Sequence, residues 1–179
     1  MHAWTHELLQ HLDAGRAGLC AALAAIAPGD RERAPGAARW SAANVLSHLA
    51  RTEGQVAALL QRGVRRASAA LPAAPSGGAP ILERFDGAAV LDRRERAVAP
   101  EFAAPDLGMS SVAALAALEG ARRRLCFVLL SVDGGDARGV TQAHHWFGEL
   151  DFYEWVAFAG FHEQRHTAQL LEVSQAFAG

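Results

Sequence analysis

Four long stretches of this chain repeat apolar residues every three or four positions, and none alternates apolar with polar residues over a useful length. That spacing puts the apolar side chains on one face of a helix, so the pattern demands helices packed on one another. The first stretch, about 5–27, carries Leu8, Leu9, Leu12, Leu19, Leu23 and Ile26 and stops at Pro28-Gly29-Asp30. The second starts after Ser41, whose hydroxyl suits an N-cap, and runs to about Ser68 with Val45, Leu46, Leu49, Val56, Leu59 and Leu60 inward. The third spans about 110–132, with Val112, Leu115, Leu118, Leu125, Val128 and Leu129 on its face. The last begins at Asp151, with Glu154 three residues on as a capping box and Leu150 and Trp155 at staple positions, and continues to about Phe177.

Between the second and third stretches, 71–80 is rich in Pro, Ala, Ser and Gly and reads as a loop too short to divide domains. Residues 81–98 are partly helical in composition, with Gly87 in their middle. Residues 137–149 read as an ordered loop. The expectation is an all-α, single-domain chain over 1–179: a four-helix bundle with a long crossover between the second and third bundle helices.

Charge narrows the function classes. Seventeen Arg and no Lys face nineteen acids, for a net charge of −2. No basic excess marks a general nucleic-acid binder, and Arg122-Arg123-Arg124 reads as a solvated helix face. Cys20 and Cys126 lie in apolar helical stretches and read as buried free thiols rather than a disulfide framework. No apolar run reaches 18 residues and no leader pattern opens the chain, so no membrane partner and a cytoplasmic location are expected.

The chemistry concentrates in the eight histidines. His162 and His166 are one turn apart in the last helix and leave the same face, a spacing that suits two imidazole ligands on one divalent metal. The plain alternative is a solvated face beside Glu163 and Arg165. His48 sits among Val45, Leu46 and Leu49, where an imidazole needs a partner: a backbone carbonyl, or a metal shared with His162 and His166. Gln169 lies one turn beyond His166, placed to orient a ligand or bound substrate. His2 and His6 share the i, i+4 spacing but sit at the chain terminus. His144 and His145 read as exposed loop residues that could reach a pocket mouth. Residues 162–166 also match the His-Glu-x-x-His zinc-protease pattern, but the chain shows no second region to build a protease cleft. There is no Gly-x-Ser-x-Gly elbow, and Ser76-Gly77-Gly78 lacks the Lys of a phosphate loop.

Three segments together resemble the DinB-like superfamily of metalloenzymes: Trp40-Ser41 through His48-Leu49, Phe147-Gly148 through Glu154-Trp155, and His162 through Gln169-Leu170. The resemblance covers nearly the whole chain. It implies a four-helix bundle with one metal, commonly zinc or nickel, with iron or manganese as further options, held by His48, His162 and His166. It also implies a homodimer and a small-molecule substrate. Characterised members include S-transferases that use low-molecular-weight thiols such as bacillithiol, and a mycothiol-dependent maleylpyruvate isomerase. The residue after the first ligand varies in that family, so Glu163 is left out of the catalytic set. Two other readings stand beside the thiol transferase: a metal-dependent hydrolase and a non-catalytic, stress-related metal-binding protein.

Overall fold

The computed structural model describes residues 1–67, 71–94 and 99–178. Among them are six α-helices, α1 (Ala3–Ala24), α2 (Ala42–Arg66), α3 (Ile81–Arg84), α4 (Gly87–Leu91), α5 (Ser111–Leu130) and α6 (Phe152–Phe177), and two short strands, β1 (Gln142–His144) and β2 (Gly148–Leu150). The chain is therefore mostly helical. Helix α2 packs on α5, α1 packs on α6, and α2 also packs on α6. The segment between α2 and α5 carries α3 and α4 across α6.

The capping signals act as the sequence suggests. The Ser41 hydroxyl accepts the Asn44 N–H, and the Asn44 side chain accepts the Ser41 N–H in return. Asp151 accepts the N–H groups of Tyr153 and Glu154, while Glu154 accepts that of Asp151. Several expectations change. The first helix starts earlier, because the His2 ring nitrogen accepts the Trp4 N–H and caps it, and it ends at Ala24 with Ala25 as its C-cap. That bond commits His2 to a structural role, and His6 is exposed. Residues 81–98 hold two short helices. The break falls at Phe85-Asp86, where Asp86 caps α4 by accepting the Ala89 N–H, and α4 opens on Gly87, where a Cβ would lie 2.4 Å from the Phe161 ring. The expected ends of the second helix at Ser68 and of the 81–98 segment fall on or beside 68–70 and 95–98, outside the described residues. Residues 142–150 form an antiparallel hairpin rather than a loop, with His144 opposite Gly148. Gly148 supplies the positive φ of 72° that closes such a three-residue turn. Cys20 is exposed, because Leu19 takes the inward position beside it; Cys126 is half-buried.

The apolar core has two parts. One gathers Leu8, Leu12, Val56, Leu60, Leu125, Leu129 and Val156. The other gathers Leu19, Leu23, Leu46, Leu49, Leu118, Leu170 and Val173. A charged layer lies between them along all four long helices, and each helix contributes one member: Arg16, Glu53, Arg122 and Glu163. Arg122 donates to Glu53 at 2.5 Å, to Glu163 at 2.5 Å and to the Leu12 carbonyl at 2.6 Å. Arg16 donates to Glu163 at 2.6 Å and reaches Glu53 at 3.5 Å. Two cations and two anions balance. Burial works against the Arg122 charge, but Glu53 and Glu163 outweigh it and hold the guanidinium above its ordinary pKa. Arg122 is thus buried, not part of a solvated face; Arg123 and Arg124 are exposed.

Helices α1 and α6 approach so closely that a Cβ on Gly160 would lie 2.2 Å from the His11 ring. The His11 ring in turn donates to the Ala157 carbonyl at 3.1 Å. Removing one member of the ion layer strands its partners in the core, which typically costs about 3–5 kcal/mol. We expect Arg122→Met to lower the urea midpoint by an amount equivalent to about that cost; an unchanged midpoint would contradict the commitment of both carboxylates to Arg122 in the core.

Candidate metal centre

The Ser41 cap fixes the start of α2, and His48 emerges from its second turn beneath Trp40. The Asp151 box fixes the start of α6, and His162 and His166 follow on one face. Glu163, between them, points instead into the ion layer. Its carboxylate is committed to Arg16 and Arg122, so the His-Glu-x-x-His match has no free base at the histidines. The same commitment sets the rotation of α6, and Glu53, five residues after His48, does so for α2. The layer thereby turns His48 and the α6 pair toward each other.

Three imidazoles converge. Their nearest ring nitrogens all lie within 4.8 Å of one another, a spacing at which one metal ion could be held. His48 Nε2 is 3.3 Å from His162 Nε2. The other nitrogen of two rings is already occupied. His48 Nδ1 lies 2.6 Å from the Ala103 carbonyl, which can only accept, so that nitrogen carries the proton. His166 Nδ1 donates to Gln169 Oε1 at 2.8 Å. Both bonds fix the tautomer and leave Nε2 as a bare lone pair facing the cluster, the usual outer arrangement of a metal-bound imidazole. Three imidazole nitrogens are a donor set that could hold a divalent metal ion. His48 and His166 are buried and His162 is half-buried.

Aromatic rings wall the cluster. Trp40 lies 4.9 Å from His48 and stacks on His166 at 6.2 Å. Phe158 stacks on His162 at 5.3 Å. The sequence did not single out Trp40 or Phe158 as wall residues, though both flank the ligands in the chain. His144 is buried, contrary to its reading as an exposed loop residue. Phe147, Trp155 and Phe158 surround it, and its Nδ1 accepts the N–H groups of Trp146 and Phe147. Phe158 thus separates His144 from His162. His145 stacks on His144 and lies beside the exposed rings of Phe102 and Trp146.

A family model described as the DinB superfamily matches residues 11–170. The chain belongs to the DinB superfamily. It is also similar to the uncharacterized protein YuaE of Bacillus subtilis (strain 168), at 27% identity over 144 residues that span 79% of this chain and 81% of the relative. No solved structure gives a significant match.

Burial depresses all three ligand imidazoles below the ordinary 6.5: His48 is lowered, His162 lies well below, and His166 falls to about 3. His144 falls to about 4, again through burial and then through His145. Neutral imidazoles are the form that binds metal. An unfolded chain takes up protons near pH 6.5 that these folded rings refuse, so stability falls as the pH drops through that value. We expect the urea midpoint of metal-free protein to fall steadily from pH 7 to pH 5.5, a range in which ordinary carboxylates stay ionised. A flat midpoint across that range would contradict the burial of neutral imidazoles.

Proposed function

We propose that the protein is a metal-dependent enzyme in which His48, His162 and His166 hold one divalent ion and a low-molecular-weight thiol is transferred to an electrophile. The observation that carries this reading is the pair of oriented imidazoles. His48 and His166 spend their Nδ1 protons on Ala103 and Gln169 and present bare Nε2 atoms beside His162. A core histidine satisfied by one carbonyl would explain His48 alone; it would not explain three converging rings. Membership of the DinB superfamily supports the same assignment.

The scaffold in this reading is a four-helix bundle, with the segment between α2 and α5 as its crossover. Zinc or nickel suits the donor set. When bound, the ion lowers the pKa of a thiol or water molecule and makes it a nucleophile at neutral pH. The protein's own contributions are distinct. Ala103 and Gln169 orient two ligands, and the rings of Trp40 and Phe158 cover the cluster on two sides. Phe102 and Trp146, exposed on either side of His145, offer an apolar surface on which an organic electrophile can rest.

The test is turnover. Zinc- or nickel-loaded protein should consume bacillithiol or mycothiol in the presence of a monochlorobimane-type electrophile, and His48→Ala should abolish this while leaving the circular dichroism spectrum unchanged. Absence of turnover with either thiol in fully loaded protein would overturn the transferase assignment.

A further inference from the structure

The outer face where α2 meets α5 carries positive charge that its own two helices do not answer. Arg62 and Arg65 on α2 and Arg123 and Arg124 on α5 are exposed, and among the described residues none of them forms an ion pair or a hydrogen bond. Helix α2 has no acid after Glu53, which is buried in the ion layer. Helix α5 has none after Glu119, which forms no ion pair although it precedes Arg123 by one turn. The sequence following α2, Ala67 through Ala70, is uncharged. Asp133, just past α5, is taken by the chain N-terminus and the His2 N–H.

A cavity of about 180 Å³ opens among these cations. Gly54, Ala57 and Ala58 line it from α2; Arg123, Arg124 and Phe127 line it from α5. A Cβ on Gly54 would lie 3.4 Å from Arg124 Nη2, which puts that guanidinium against the α2 wall. Phe127 lines the cavity while remaining 67% exposed, and Leu130, one turn on, is exposed as well. Arg62 follows Ala58 by four residues, so it continues the same wall by one turn, and Arg65 does the same for Gln61.

Size and charge select the occupant. Pockets for small organic ligands span about 300–1,000 Å³, so this cavity admits one bulky side chain rather than a whole molecule of that kind. Unpaired guanidinium groups around it suit carboxylates, which they grip through two parallel donors. Single-stranded nucleic acid is held on a series of aromatic platforms, whereas Phe127 is the one Phe, Tyr or Trp in α2 and α5. A membrane surface takes a protruding apolar face, whereas the apolar wall here is recessed between two helices.

We propose that the α2–α5 face docks an acidic segment of a partner protein. One bulky apolar side chain of that segment sits in the cavity against Phe127, and carboxylates beside it pair with Arg62, Arg65, Arg123 and Arg124. None of the three clustered histidines lines the cavity, so the proposal is independent of the metal reading.

The probe is a fluorescein-labelled peptide with a central Phe flanked by runs of Glu, titrated into the full-length protein and read by anisotropy beside the same peptide with a central Ala. The Phe peptide should bind about tenfold or more tighter, the scale of burying one large apolar side chain, and both should weaken as salt is raised. Replacing both exposed arginines, Arg123→Glu with Arg124→Glu, should abolish binding with the melting temperature unchanged. Ala58→Trp fills the cavity and should bring the two peptides to equal affinity while the salt dependence persists. Binding of neither peptide, equal affinity for both, or binding that survives the double charge reversal would overturn the proposal. So would tighter binding to an oligothymidine, or to anionic phosphatidylglycerol vesicles, than to the Phe peptide.

Discussion

The buried ion layer of Arg16, Glu53, Arg122 and Glu163 decides how the four long helices meet. An apolar face alone tolerates rotation and sliding, because one Leu can replace another against a neighbouring helix. A guanidinium held by two carboxylates at 2.5 Å tolerates little of either. Each helix contributes one charged side chain at the level where its apolar stripe breaks, so the layer couples all four in register. Burying four charges gains little net stability over a well-packed apolar layer. What it supplies here is position: Glu163 is adjacent to His162, and Glu53 is five residues from His48. The histidine cluster is the geometric consequence of where those two carboxylates are held.

The cluster also depends on groups outside the four long helices. The Ala103 carbonyl, from the segment between α4 and α5, sets the His48 tautomer. The β1–β2 hairpin brings His144 and Phe147 against Phe158, which in turn stacks on His162. The loop after α4 is tied to α6 through Arg165. Short irregular elements thus form one side of the site, and the long helices form the other.

Much of this was legible in the residues. The helices announce themselves through three- and four-residue apolar spacing, and two of their starts through Ser41 and the Asp151–Glu154 pair. His162 and His166 share a face by spacing alone, and His48 among aliphatic neighbours demanded a partner. Other features were not legible, for physical reasons. Arg122 looked solvated because its two neighbours are arginines; its burial depends on carboxylates 41 and 69 residues away in the chain. His144 looked exposed because a three-residue strand gives no alternation to detect, and its burial depends on Trp155 and Phe158 from α6. The need for a glycine at 87 follows from the close approach of Phe161, 74 residues on, which no local pattern records. Short-range signals therefore give the elements and the ligand pair, while long-range charge pairing and aromatic packing set what surrounds them.

Membership of the DinB superfamily and the converging imidazoles meet in one claim, that His48, His162 and His166 together hold a single metal ion. X-ray absorption at the zinc edge of stoichiometrically loaded, untagged protein tests it most directly. The account requires one zinc per chain with three imidazole nitrogens at about 2.0–2.1 Å, falling to two in His48→Ala. A zinc shell without imidazole scattering, or one that is the same in His48→Ala, would contradict it.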